Sequence, residues 1–224
     1  MDWVLDNLDL LAALTVQHIR LSVPPIVIGL AVALPVGWVA FRFGRIRGAV
    51  LSTAGILYAI PSLALFPLLP ALFGIGFLSE LNVTIALSIY ALALLSRSVC
   101  DALNAVDRDV RQSATALGYS SWRRFWAVEL PLAGPVILAG LRVAAVSTVS
   151  LVTVGVLIGV QSLGYLFING FERRILEEIF TGVLLTMLVA LLFDAVLVLL
   201  GRALMPWARG SDARRAPQRI EVAP

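Results

Sequence analysis

The sequence lacks several residues and motifs on which catalytic and metal sites are commonly built. Its 224 residues include one cysteine, one histidine and no lysine. A single cysteine, Cys100, excludes an internal disulfide and a cysteine-based metal cluster. The chain has no phosphate-binding loop of the kind that nucleotide hydrolases carry. We therefore expect it neither to hydrolyse ATP nor to hold a metal or other cofactor itself.

Charged residues are also scarce. They make up 14% of the chain, whereas hydrophobic residues make up 60% and the mean hydropathy is +0.95. Soluble domains average about 45–50% apolar and about 25% charged residues, so the composition predicts an integral membrane protein. The arginines stand at the ends of apolar segments rather than in one patch, which argues against nucleic-acid binding.

Five apolar segments are long enough for the roughly 20 residues that a helical membrane crossing needs. They are about 21–41, 50–73, 83–100, 132–159 and 180–204. The loop after the first segment carries Arg42, Arg45 and Arg47, which predicts that this loop is cytoplasmic. Alternation along the chain then places the N-terminus outside and the C-terminus in the cytoplasm, with Arg173 and Arg174 as exceptions on the outer side.

The regions that flank the spans carry weaker signals. Acids at helical spacing, beginning MDWVLDNLDL, predict a short surface helix over residues 1–19 and no cleavable leader. His18 at its end is interpreted as structural rather than as a ligand. Residues 1–205 are predicted to form one transmembrane domain, and the polar tail 206–224 is predicted to be disordered.

The second span contains Pro61, Pro67 and Pro70, which predict a broken or kinked helix. Backbone carbonyls freed at membrane depth are tolerated only when they are buried in protein or face water. The segment therefore either lines a translocation path or is a kinked packing helix. Tyr58, Pro61 and Ser62 are the candidates for path contacts.

The fourth span is rich in hydroxyl and small side chains. Such residues let helices approach closely and form hydrogen bonds between them. They indicate a helix at a dimer interface or beside a translocation path, although tight packing explains the same composition. The path candidates here are Ser147, Ser150 and Thr153, with Asn169 in the following loop.

Two ionisable residues lie at matching depths in the membrane. At about 1.5 Å per helical residue, Arg142 and Asp194 stand about 15–16 Å from the inner ends of their spans. We predict that they pair, within one chain or across a dimer. The pair either fixes helix register or takes part in the transport path.

A polar segment, Val106–Pro131, separates the third and fourth spans. Its pattern predicts a short helix over Arg111–Leu117, a turn at Gly118 and a second helix over Trp122–Glu129. Pro131 is expected to separate the second helix from span four. The segment is either a simple connector or a docking site for another protein.

In this polar segment the sequence resembles the membrane subunits of binding-protein-dependent ABC importers. Their signature is Glu-Ala-Ala, then a glycine, then Ile-x-Leu-Pro, and every spacing is kept here. Gln112 replaces the usual Glu and Ser113 the usual Ala, so Gln112 keeps the reach but loses the charge. The aligned residues are Gln112, Ser113, Ala114, Gly118, Val128, Leu130 and Pro131.

Longer stretches are similar to the osmoprotectant branch, which imports glycine betaine, carnitine, choline and similar compounds. They include NLDLLAALTVQHIRLS, AIPSLALFPLLPALFGIG, ELPLAGPVILAGLRVA and SLGYLFING. The resemblance implies an all-α, five-span fold like that of the methionine-importer permeases, in a bacterial inner membrane. It also implies that the polar segment forms coupling helices.

The resemblance further implies a set of partners. Coupling helices dock on a separate ATPase dimer, which binds the ATP and magnesium. A second permease subunit, identical or similar, and an external binding protein complete the importer.

The sequence leaves two other functions open. One is an importer permease for an amino acid or another small solute. The other is an ion-coupled secondary transporter, although such proteins usually show two related halves and this chain does not. No aromatic cage for a quaternary ammonium is evident in the spans, which fits selection by the binding protein.

Overall fold

Residues 2–208 are described by a computed structural model, and all regular secondary structure in that range is helical. The helices are α1 (Asp2–Asp6), α2 (Leu8–Arg42), α3 (Gly44–Ala59), α4 (Ser62–Phe73), α5 (Glu80–Ala105), α6 (Arg108–Ala116), α7 (Ser121–Arg124), α8 (Leu130–Val152), α9 (Gly164–Arg173) and α10 (Leu176–Leu204). A π-helical segment, Phe125–Glu129, joins α7 to α8, and 3-10 segments cover Thr153–Ile158 and Pro206–Ala208.

Four helical stretches are long and apolar enough to cross a membrane: α2, α5, Ser121–Ile158 and α10. The bent pair α3 and α4 gives a fifth crossing when it is counted as one span. An all-helical fold with up to five spans is therefore what the structure shows. The inside–outside orientation of the termini stays a prediction.

The break predicted in the second span lies at Pro61, where α3 and α4 meet at an angle of 104°. A residue before proline is disfavoured in the α-helical region, and Ile60 adopts an extended conformation with ψ 126°. The Tyr90 hydroxyl donates a hydrogen bond to the freed Ile60 carbonyl. Pro67 lies inside α4 and does not break it.

The structure corrects the predicted N-terminal boundary. The surface helix over 1–19 and the span over 21–41 are mainly one continuous helix, α2, of 35 residues. No glycine or proline falls between Leu8 and Val23 to stop it. At about 1.5 Å per residue it is about 52 Å long, so it extends beyond a hydrocarbon core of about 30 Å or crosses it at a tilt.

Helix α2 packs closely along α5 because glycines leave room for the facing backbone. A Cβ atom built on Gly29 would lie 2.5 Å from the Cβ of Ala91. One built on Gly37 would lie 2.6 Å from the Cβ of Val99. These two helices therefore form a tightly packed central pair, against which α3 and α8 also pack.

His18 ties α2 to two other parts of the chain and is fully buried. Its Nε2 lies 3.0 Å from the Val149 carbonyl of α8, and the Leu163 amide lies 3.4 Å from its Nδ1. The two contacts assign the proton to Nε2, since a carbonyl only accepts and an amide only donates. His18 therefore has the structural role that the sequence indicates.

Arg142 and Asp194 form an ion pair within the chain, between α8 and α10. Arg142 Nε lies 2.6 Å from Asp194 Oδ1, and Arg142 Nη2 lies 2.8 Å from Asp194 Oδ2. Such a two-point contact fixes orientation as well as distance. Because α10 is otherwise largely exposed, we expect this pair to set its register against α8.

We expect the protein to tolerate an exchange of the two charges between the helices, but not the reversal of one charge alone. Arg142→Asp or Asp194→Arg alone would place two like charges together at membrane depth. A single central charge already costs about 2.5–3.5 kcal/mol on insertion scales, so each single variant should lose most folded protein. The double variant should recover it, measured as detergent-soluble, monodisperse protein per unit of membrane.

Arg173→Asp serves as the control, since Arg173 is an exposed residue at the end of α9. It should leave the yield unchanged. A double Arg142→Asp, Asp194→Arg variant no better than the single variants would show that the pair does not set the register.

Candidate functional site

Helix α6 holds the first part of the signature in the polar segment. Asp107 caps it, with its Oδ1 accepting the Asp109 amide at 2.9 Å. Ala114 is the one buried side chain of this helix, whereas Gln112 and Ser113 are exposed. The helix spans Arg108–Ala116, so it starts and ends earlier than the predicted Arg111–Leu117.

The turn after α6 depends on Gly118, which has a φ of +83°. The Gly118 amide bonds to the Thr115 carbonyl, and the Tyr119 amide bonds to the Ala114 carbonyl. A Cβ atom at Gly118 would meet nothing within 4 Å, so the requirement for glycine is conformational rather than steric. Leu117 stands at the tip of the turn and is 78% exposed.

The second helix of the polar segment begins at a serine cap and does not stop at Pro131. Ser120 Oγ accepts the Arg123 amide at 3.3 Å, and helix continues from Ser121 to Ile158 over 38 residues. The expected separation at Pro131 is therefore wrong. The π-helical turn, in which the Leu130 amide bonds to the Phe125 carbonyl, accommodates the missing amide of Pro131.

Trp207 contacts the N-terminal end of α8. Its Nε1 donates to the Pro131 carbonyl at 3.1 Å, from the 3-10 segment Pro206–Ala208. The tail predicted to be disordered over 206–224 thus begins with a short folded turn, and the rest of it lies outside the described residues.

Arg124 connects the two helices of the polar segment to the start of α8. Its Nε lies 2.7 Å from Glu129 Oε1, and its Nη1 donates to Thr115 Oγ1 at 2.7 Å. The Glu129 side chain is only 2% exposed. Sequence reasoning missed Thr115, Arg124 and Glu129, although an acid in such an apolar stretch was an available signal.

Aromatic side chains anchor the polar segment on the end of α2. Phe125 is buried, and its ring centroid lies 5.8 Å from that of Trp38. Trp122 contacts Trp38 edge-on at 6.5 Å and Trp126 at 5.6 Å. Trp122 and Trp126 are nevertheless 64% and 50% exposed, so this cluster presents an apolar face beside the turn.

The polar segment therefore combines a fixed base with an exposed tip. The base includes three partly buried residues where α8 begins, namely Val128, Leu130 and Pro131. The exposed side chains around the turn are Gln112, Ser113, Leu117, Trp122 and Trp126. An exposed apolar patch with polar neighbours is typical of a protein-docking surface.

The residues predicted for a translocation path are dispersed. Tyr58 is 47% exposed and packs edge-on against Tyr90 at 5.9 Å, next to the break at Pro61 and Ser62. On α8 and the segment that follows it, Ser147 and Thr153 are partly buried and Ser150 is exposed. The Thr153 hydroxyl donates to the Ser150 carbonyl at 2.6 Å.

Asn169 lies elsewhere, on α9. Its Nδ2 donates to Oε1 of Glu178 at 2.6 Å, and Glu178 is fully buried at the start of α10. The second carboxylate oxygen of Glu178 has no partner among the described residues. This buried acid was missed as a candidate because its sequence neighbours suggested an outer loop.

Comparison with known proteins gives concordant matches. The chain matches the family described as binding-protein-dependent transport system inner membrane component over residues 25–210. The osmoprotectant import permease protein OsmW of Salmonella typhimurium is 32% identical, over 91% of this chain and 96% of that protein. The glycine betaine/carnitine/choline transport system permease protein OpuCB of Bacillus subtilis is 30% identical, over 86% and 87%.

Among solved structures, the fold is similar to the inward-facing MetNI methionine ABC transporter. The TM-score is 0.78 at 19% identity, covering 88% of this chain and 97% of that chain. This likeness shows the fold alone. With the match over most of its length, the chain belongs to the inner-membrane permease subunits of binding-protein-dependent ABC importers.

Proposed function

We propose that the chain is the membrane-spanning subunit through which an ATP-driven importer translocates a compatible solute such as glycine betaine, carnitine or choline. The observation that carries the coupling role is the exposed glycine turn built rigidly onto α8. The solute class is supported by the transport activities named for the relatives that align over nearly the whole chain.

The contacts provide a continuous route from the turn into the membrane. A displacement of α6 is passed to Arg124 through the Thr115 hydrogen bond. Arg124 is in turn paired with Glu129, which immediately precedes α8. Helix α8 then carries the displacement to α10 through the Arg142–Asp194 pair. Energetic coupling between distant sites is carried by such chains of hydrogen bonds, ion pairs and rigid helices.

We infer the partners from the family to which the chain belongs. ATP and magnesium are bound by a partner ATPase dimer, whose groove takes the turn around Gly118. A second permease subunit, identical or similar, completes the path, and an external binding protein delivers the solute. In this arrangement the polar segment and the C-terminus face the cytoplasm, and the N-terminus lies outside.

Solute selection rests mainly with the binding protein. The only tyrosine pair near the predicted path in the described residues is Tyr58 with Tyr90, whose rings meet edge-on at 5.9 Å. A cation–π cage needs several ring faces around one cation, and this pair does not supply them. The path residues predicted from sequence therefore need only low affinity for the solute.

An amino-acid importer is the second candidate, because a fold shared with the methionine transporter does not distinguish between solutes. We expect cells that make this chain with its ATPase and binding protein to take up labelled glycine betaine, carnitine or choline. Excess methionine should not compete. Competition by amino acids alone would favour the second candidate, and uptake that survives loss of the ATPase would exclude an ABC importer.

Replacement of Gly118 tests the coupling turn. Gly118→Val should reduce uptake at least tenfold, because a β-branched residue is disfavoured at φ +83°. The left-handed conformation costs a non-glycine residue about 1–2 kcal/mol, and asparagine tolerates it best. Gly118→Asn should therefore retain more uptake than Gly118→Val, with both variants inserted in the membrane at wild-type levels.

The pair of variants separates conformation from bulk. Equal loss in both would show that side-chain volume at the docking surface matters rather than the left-handed turn. Unimpaired uptake in Gly118→Val would contradict the coupling role.

A further inference from the structure

A basic cavity of about 620 Å³ lies where the end of α2 meets α6 and α7. Arginines dominate its lining, together with an aromatic ring and an amide. The residues concerned are Phe41, Arg42, Arg108, Arg111, Gln112 and Arg124. The cavity runs along one face of α6, from Arg108 to Ala116, beside the docking turn, and it shares Gln112 with the exposed surface around that turn.

The positive charge of this cavity is largely uncompensated. Within the part of the chain that the structure describes, Arg124 alone among these arginines is in an ion pair, with Glu129 at 2.7 Å. Among residues 2–208, Arg42 and Arg108 form no ion pair, and Arg111 lies over the Phe41 ring at 5.3 Å. No acidic residue in the described range 2–208 lines the cavity. Asp107, the neighbour of Arg108, caps the helix instead.

The cavity lies at the C-terminal end of a membrane-crossing helix. Arg42 is the last residue of α2, the 35-residue helix that forms span one. Trp38, one turn earlier, contacts Trp122, which is exposed. Tryptophan is enriched at the boundary between hydrocarbon and water, so this cluster marks the headgroup region.

Gln112 keeps the cavity positive. An acid at this position would share the cavity with four arginines and neutralise part of their charge, whereas the amide adds none. The amide also supplies two N–H donors, which suit an anionic oxygen acceptor. The neutral residue at the first position of the signature is thus matched to its surroundings.

We propose that this cavity binds the phosphate of an anionic phospholipid headgroup, held by Arg42, Arg108 and Arg111. Arginine forks match phosphate oxygens at two points, and basic cavities between membrane helices are suited to lipid headgroups. The acyl chains would lie against the apolar surface beside Trp38. A lipid bound here bridges α2 and α6 and supports the base of the docking turn.

The test uses the full chain purified in detergent and analysed by native mass spectrometry. Phosphatidylglycerol, phosphatidylcholine and inorganic phosphate are added separately. We expect phosphatidylglycerol to be retained at least tenfold more than phosphatidylcholine. The double variant Arg108→Gln, Arg111→Gln should lower phosphatidylglycerol retention about tenfold or more, since each basic residue near the surface adds attraction.

Arg123→Gln is the matched control, because Arg123 lies in the same segment but stacks over Tyr119 at 4.9 Å, outside the cavity lining. It should bind phosphatidylglycerol as the unmodified chain does. Arg42→Gln provides a second variant from a different helix, in case the double variant does not fold. It should also bind less.

Several outcomes would overturn the proposal. One is unchanged phosphatidylglycerol retention in folded cavity variants, and another is an equal loss in Arg123→Gln. Displacement of the lipid by inorganic phosphate at equal concentration would assign the site to free phosphate. Retained lipid together with lost co-purification of the ATPase would assign it to the ATPase interface.

Discussion

The ion pair between Arg124 and Glu129 connects the polar segment to the membrane-spanning part of the chain. Glu129 is nearly inaccessible, so the pair is largely shielded from water. Buried ion pairs contribute little net stability, but breaking one leaves an uncompensated charge and is strongly destabilising. Because Arg124 also bonds to Thr115 of α6, this contact acts together with the packing of Trp38 on Phe125 to orient the docking turn.

The same region explains how much of the site was predictable. The spacing from Gln112 to Pro131 identified the segment, because motif spacing is visible in sequence. The Arg124–Glu129 pair could not be identified from the sequence, since helical side chains normally meet three or four positions apart. Here they meet five apart across a π-helical turn, which follows the i→i+5 bonding of that turn and leaves no local signature.

Elsewhere the fold was predictable where single residues dominate. Pro61 determines the break in span two through the conformation of Ile60. Arg142 and Asp194 could be matched by depth because charges inside a membrane are rare. The continuity of α2 was missed because acids at helical spacing resemble a surface helix equally well, and only its packing against α5 and α8 distinguishes the two.

The central claim is that the turn at Gly118 docks on an ATPase subunit. It is tested most directly by placing a cysteine at Leu117 in a Cys100→Ser background, with a short cysteine-reactive cross-linker. Leu117 and Phe171 have the same exposure, 78%, so Phe171→Cys is the matched control at the predicted outer face. The account predicts a cross-link to the ATPase from position 117 and none from position 171. No cross-link from 117, or equal cross-linking from both, would contradict it.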